Sequence, residues 1–224
     1  MKFFSHLLFD LDGTLTDSKA GIANGVMYAL AQFGIRVEDP GVLYSFIGPP
    51  LLESFQSVYG FSLERAREAT AYYRAYYSEK GLFENAVYSG IPEQLEALRA
   101  AGRTLVLATS KPEVYARRIL EHFGLDGLFS VIAGAALDES RGSKAAVVRY
   151  ALERCGLPDP ARVLMVGDRK HDVIGAAENG LDCLGVLYGY GSREELEQAG
   201  AKYIVETVSG LAPAILAPEA GTAV

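Results

Sequence analysis

A chain of 224 residues, 50% hydrophobic and 22% charged, has the apolar content to bury a core and is expected to be globular, with one or two domains. Its 28 acidic and 21 basic side chains leave a net charge of −7 with no Lys/Arg block, which argues against a nucleic-acid polymer as partner. No run reaches the roughly 18 apolar residues that span a bilayer. Asp10 and Asp12 also break the opening apolar stretch where a secretory leader needs continuity, so no membrane partner and a cytoplasmic location are expected.

The first apolar run, residues 6–9, reads as a strand. From about 18 to 87 only helical patterns follow, at 21–33, 51–59 and 63–80, the last carrying Tyr72, Tyr73, Tyr76 and Tyr77. Helix and strand then alternate, with helices at 92–101, 114–123, 145–155 and 194–199 and β-rich runs at 104–108, 131–133, 163–166 and 184–187. Gly34, Gly102, Gly124, Gly156 and Gly200 stand where left-handed caps would close the helices before them. The strand runs are apolar throughout rather than alternating, as expected of a sheet covered on both faces. The pattern predicts an α/β fold with a doubly wound parallel-sheet core from residues 1–17 and 88–224. Residues 18–87 are expected to be a helical insertion after the first strand, a lid's position above the carboxyl edge of the sheet. Residues 213–224, small and with two prolines, are expected to fray. Cys155 and Cys183 have no metal or redox spacing and are assigned no chemistry.

The sharpest local signal is Asp10-Leu11-Asp12-Gly13-Thr14, directly after an apolar run. Two carboxylates therefore sit at a strand's carboxyl end, and a tight turn at Gly13 can give each a separate task. Gly167-Asp168-Arg169-Lys170-His171-Asp172 follows a second apolar run in the same way. Four aspartates are then expected to converge on one sheet edge, where mutual repulsion calls for a cation. All-oxygen ligands without a His/Cys set point to a hard metal, and Mg²⁺ with retained waters suits a phosphate substrate. His171 is expected to be exposed rather than a ligand. Thr109, ending the run at 104–108 and followed by Ser110, offers a hydroxyl for a phosphoryl oxygen. Lys144, opening a helix, offers a cation that could neutralise both a nucleophile and a transferring phosphoryl group, and Arg141 is the alternative for that role.

With these four motifs in order, the chain resembles the haloacid dehalogenase superfamily of phosphohydrolases. The resemblance covers the Rossmann-like core, and the insertion is similar to that family's helical cap. It implies that Asp10 is the nucleophile and Asp12 the general acid and base, whose backbone carbonyl meets the metal. Asp168 would be a carboxylate ligand, and Asp172 would support the metal directly or through water. Thr109 would bind phosphoryl oxygens together with backbone amides near Leu11 and Ser110, and Lys144 would pair with Asp10 and phosphate. Phe46-Ile47-Gly48-Pro49-Pro50-Leu51, Ala108-Thr109-Ser110-Lys111-Pro112, residues 165–176 and residues 186–192 are similar to the phosphoglycolate-phosphatase-like branch and its 5′-nucleotidase-like group. The segment after Leu137 departs from it, since no proline follows Lys144.

The expected activity is Mg²⁺-dependent hydrolysis of a small phosphorylated metabolite through an aspartyl-phosphate, by a monomer or homodimer. A phosphomutase is the alternative, and a non-catalytic metabolite- or partner-binding domain the third reading. Asp17 and Ser18 at the hinge, with Gly48 and Pro49 in a stiff turn, are expected to contact the leaving group. An outward-facing ring among the four tyrosines would favour nucleoside 5′-monophosphates over phosphoglycolate, with aryl phosphates third.

Overall fold

The computed structural model describes residues 1–138, 140–156 and 159–217. In chain order its strands and helices are β1 (His6–Phe9), β2 (Thr16–Asp17), α1 (Lys19–Ala31), α2 (Leu51–Tyr59), α3 (Leu63–Tyr76), β3 (Ala86–Val87), α4 (Ile91–Ala100), β4 (Thr104–Pro112), α5 (Glu113–His122), β5 (Val131–Ala135), α6 (Lys144–Cys155), β6 (Val163–Gly167), α7 (Lys170–Ala177), β7 (Asp182–Val186), α8 (Arg193–Ala199), β8 (Tyr203–Val205) and α9 (Leu211–Leu216). The chain divides into two compact units, Met1–Thr16 with Val87–Val224, and Asp17–Ala86. β2 and β3 form a separate two-stranded ladder where the chain passes between them.

The first unit is a six-stranded sheet in the order β5-β4-β1-β6-β7-β8, every pair parallel. The chain starts in the middle with β1, builds outward through β4 and β5, then crosses to the other side of β1 for β6, β7 and β8. The reversal falls at β1, so the loops leaving β1, β4 and β6 open the crevice where doubly wound sheets bind ligands. On one face Leu8, Val106, Ala133, Met165 and Cys183 pack against Val147, Val148 and Ala151 of α6, Val173 and Ala176 of α7, and Leu196 of α8. The alternate residues Leu7, Phe9, Leu105, Leu107, Leu164 and Val166 point the other way and are buried as well. Burial on both sides is why these strands read as unbroken apolar runs.

The structure adds elements that the sequence pattern did not predict. β4 continues past Ala108 to Pro112 with a register shift after Thr109. α7, β8 and α9 were also unexpected. The fraying expected of 213–224 is corrected in part: α9 buries Leu211, Ala212 and Ile215, and Ala212 donates its backbone N–H to the Gln94 side chain at 2.9 Å. The rest of that stretch, 218–224, lies outside the described residues. All five glycines expected to close helices have positive φ, between 63° and 93°. Cys155 and Cys183 are both free thiols.

In the second unit α3 passes into a π-helical turn, Tyr77–Gly81. α1 approaches α3 closely because Gly25 has no side chain; a Cβ there would stand 2.7 Å from the Tyr73 ring. Phe55 lies between Phe46 and Phe61, with ring centroids 5.1 and 6.0 Å away. All four tyrosines of interest are engaged within this unit. Tyr73 and Tyr77 are buried and stacked at 5.1 Å, Tyr72 donates to Glu68 at 3.2 Å, and Tyr76 donates to Glu84 at 2.8 Å. Gly48 takes φ 103° in an exposed turn, and Pro50 caps α2.

Candidate active site

Asp10 is the first residue beyond β1, and its backbone N–H still donates to Val166 of β6 at 2.9 Å. The chain then folds over itself: the N–H groups of Thr14, Leu15 and Thr16 all point to the Leu11 carbonyl, at 3.2, 2.9 and 3.0 Å. Gly13 turns this loop with φ 83°, and a Cβ there would strike the carboxylate of Asp168. Asp168 follows β6 and has no exposed surface. Its Oδ1 accepts from the Thr14 hydroxyl at 3.3 Å, and its Oδ2 accepts from the Tyr190 backbone N–H at 2.8 Å. Asp172 sits in the first turn of α7, where its Oδ2 caps the helix by accepting from the Arg169 N–H at 3.0 Å.

Lys144 begins α6 just after Ser143, whose hydroxyl accepts from the Ala146 N–H at 3.2 Å and so fixes the start of the helix. Its ammonium lies 2.8 Å from Asp10 Oδ1 and 2.7 Å from Asp172 Oδ1, and donates to the Ala108 carbonyl at 2.8 Å. Burial opposes the charge, but the two carboxylates outweigh it and hold the ammonium above its ordinary pKa. The stem of Lys144 runs through space left by Gly175 of α7, where a Cβ would come 2.7 Å from Lys144 Cγ. Arg141, the other cation considered, is directed elsewhere: it donates to the Gly134 carbonyl at 2.8 Å and lies over the Tyr150 ring at 3.8 Å.

Asp10, Asp168 and Asp172 each offer an oxygen within 4.8 Å of the others. The fourth carboxylate corrects the expected convergence, because the Asp12 side chain turns to Lys111, whose ammonium lies 2.9 and 2.8 Å from its two oxygens. Asp10 and Asp12 thus diverge after the strand, each with its own lysine. Lys111 was not singled out from the sequence, although it stands two residues after Thr109, whose buried hydroxyl accepts the Lys111 backbone N–H at 3.2 Å. Leu11 is buried and Ser110 half-buried beside these strand ends. His171, expected to be exposed, is half-buried, with its pKa lowered by burial and by Arg169 and Lys170. Asp17, Ser18, Gly48 and Pro49 belong to the second unit, where Asp17 pairs with Lys19 at 2.8 Å and Ser18 is buried at the start of α1.

Burial, with repulsion from Asp172 and Asp10, pushes Asp168 well above the usual carboxylate range. Burial also raises Asp172, to about 6, although Lys144 pulls it back. The Lys144 ammonium bridges Asp10 and Asp172, while Asp168 is met by the neutral Thr14 hydroxyl and Tyr190 N–H. An oxygen-only cluster of three carboxylates with surplus negative charge fits a hard divalent cation.

A profile described as haloacid dehalogenase-like hydrolase matches residues 7–186. The chain belongs to that family. A relative named 5′-nucleotidase, from Pseudomonas aeruginosa, is 50% identical over 86% of this hydrolase and 87% of its own length. A relative named tyrosine-protein kinase PtkA, from Mycobacterium tuberculosis, is 43% identical over 91% of this chain and 69% of its own. The crystal structure of a predicted phosphatase from Clostridium acetobutylicum superposes with a TM-score of 0.92 at 49% identity, covering 96% of this chain and 99% of that one. This haloacid dehalogenase-like hydrolase is of the phosphatase type. Among the described residues, no helix is long and apolar enough to cross a membrane.

Proposed function

We propose that this phosphatase hydrolyses small phosphomonoesters with Mg²⁺ through a phosphoryl group carried on Asp10, and that nucleoside 5′-monophosphates are its preferred substrates. The observation that carries the reading is the trio Asp10, Asp168 and Asp172, two of them fully buried, with the Lys144 ammonium on Asp10 and Asp172 at the switch point of the sheet. Asp10, Asp168 and Asp172 would hold the metal, which when bound supplies positive charge to the phosphate oxygens. Asp10 attacks phosphorus in line; an Asp10 oxygen–phosphorus bond forms as the ester P–O bond breaks. Asp12, on the diverging branch of the same loop, gives its proton to the leaving oxygen and then takes one from the water that attacks the acyl phosphate. That second displacement frees phosphate and restores the Asp10 carboxylate. Lys144, beside the nucleophile, offsets charge on the transferring group, with Thr109 and backbone amides near Leu11 and Ser110 as neutral donors.

The preference for nucleotides rests on the relative named 5′-nucleotidase, not on the tyrosines, which are engaged within the helical unit. Assignment of 18–87 as a cap, with Asp17, Ser18, Gly48 and Pro49 selecting the leaving group, rests on the sequence resemblance. A second reading, passage of the phosphoryl group from Asp10 to a protein tyrosine instead of water, is favoured by the relative named tyrosine-protein kinase.

Phosphate release from a panel of nucleoside monophosphates and phosphoglycolate, with and without chelator, tests the assignment. Chelation should abolish turnover, Mg²⁺ should restore it, and a nucleotide should give the highest kcat/KM. Full turnover in chelator removes the metal from the reading, and a phosphoglycolate preference above tenfold removes the nucleotide. Labelling of a tyrosine peptide from ATP, without phosphate release, would establish the second reading instead.

A further inference from the structure

Residues 188–191, Tyr-Gly-Tyr-Gly, have no part in the chemistry above, yet they lie against Asp168. They connect β7 to α8 and are tied at both ends. Leu187 donates its N–H to Val205 at 2.9 Å, and Ser192 caps α8 by accepting the Glu195 N–H at 3.1 Å. The tie extends to the loop after β6, because Glu195 Oε1 accepts from both Arg169 Nε and the Lys170 N–H at 2.9 Å.

Between those anchors the segment grips Asp168 in two ways. The Tyr190 N–H donates directly to Oδ2 at 2.8 Å. The Tyr188 hydroxyl donates to the Thr14 carbonyl at 3.1 Å, and the Thr14 hydroxyl in turn donates to Asp168 Oδ1 at 3.3 Å. Both oxygens of the carboxylate are therefore oriented from one connection. Approach this close requires glycine. A Cβ at Gly189 would strike the Gly13 carbonyl and Asp168 Cβ, and a Cβ at Gly191 would strike the Asp168 carbonyl. Tyr188 is held at its other side by an edge-on contact with Tyr88, ring centroids 5.4 Å apart.

We propose that residues 188–191 are the positioning element of the metal site, orienting the Asp168 carboxylate through the Tyr190 N–H and the Tyr188–Thr14 link, and so setting the affinity for the divalent cation. This rests on the reading of Asp168 as a metal ligand. Partners that orient a metal-binding carboxylate typically contribute about 10- to 100-fold in affinity.

The test is Mg²⁺ binding by calorimetry on the folded chain, alongside KM and kcat at limiting and saturating Mg²⁺. Gly189→Ala should weaken Mg²⁺ binding about 10- to 100-fold. Tyr188→Phe, which keeps the ring and its Tyr88 contact, should weaken it by a smaller factor, at least about threefold. In both, kcat should recover at saturating Mg²⁺ with substrate KM unchanged. Mg²⁺ affinity within twofold of the parent in Tyr188→Phe and in any folded Gly189→Ala protein overturns the proposal; should Gly189→Ala not fold, Tyr188→Phe alone decides. Asp168→Asn separates this from failure of the underlying reading: Mg²⁺ binding that survives Asp168→Asn rejects Asp168 as a ligand, whereas binding lost there but unchanged in the loop variants rejects only the loop's role.

Discussion

The two units bury polar groups on different terms. In the helical unit the buried hydroxyls of Ser54 and Thr70 return to carbonyls one turn back, Pro50 at 3.1 Å and Thr70 to Ala66 at 2.8 Å, so each is satisfied within its own helix. In the sheet unit the buried groups include Lys111, Lys144, Asp168 and Asp172, each with a charged or hydrogen-bonding partner more than twenty residues away in sequence. Local satisfaction costs little and carries no information about neighbours. Satisfaction across the sheet edge requires the loops after β1, β4 and β6 and the start of α6 to arrive together. Like charges are gathered there against their own repulsion, as a reactive site requires and a packed bundle does not.

The comparison breaks most sharply at Asp10. Asp10→Asn keeps the volume but removes the attacking anion, so turnover should fall at least about a thousandfold while the circular dichroism spectrum is retained. Substantial residual turnover would rule out a phosphoryl group on this residue. Next is Lys144→Met, which leaves the carboxylates facing one another without a counter-charge. Activity should drop roughly a hundredfold or more, and urea unfolding should show a loss of about 3–5 kcal/mol.

Phe55→Ala tests the other side of the contrast. It should cost about 3–5 kcal/mol as a core truncation yet leave calorimetric Mg²⁺ affinity unchanged; an altered affinity would tie the helical core to the metal site. The smallest effect is in pH. A carboxyl whose folded pKa is raised stabilises the fold while protonated, and that contribution is lost as pH rises through the folded value. Asp172, raised from 3.8 to about 6, and Asp168, pushed well above the usual carboxylate range by burial, therefore predict a metal-free protein with a lower Tm at pH 7.5 than at pH 5.5. Saturating Mg²⁺ should remove most of that difference. An unchanged or higher metal-free Tm at pH 7.5 would show that the carboxylates are not strained.

Sequence alone was informative where burial is complete. The apolar runs at β1, β6 and β7 and the glycines after α1, α4, α5, α6 and α8 are direct imprints of a covered sheet and closed helices. α7 was hidden because it opens inside the charged run Lys170-His171-Asp172, is capped by Arg169 and Asp172 in place of a hydroxyl, and contains Gly175. β8, three residues at the sheet edge, is too short for a periodic signal. At the site, strand-end position singled out Asp10, Asp168 and Asp172, which the fold brings together. The Asp12–Lys111 pair was not legible, since nothing in the spacing tells which way a carboxylate turns after a glycine loop. Nor could sequence show that a backbone N–H at Tyr190 would meet Asp168, because a contact made by the main chain leaves no residue type to recognise.

The hydrogen atom that serves as the side chain of Gly175 has an effect beyond its own helix. α6 and α7 meet there so closely that an added methyl group would overlap the stem of Lys144, with the α6 backbone only 3.0 Å away. The ammonium at the far end of that stem is the counter-charge of Asp10. A position facing neither the crevice nor any reacting atom thus works as a shim of zero thickness. A protein engineer who wished to mistune the nucleophile without touching it would have only one carbon atom to insert.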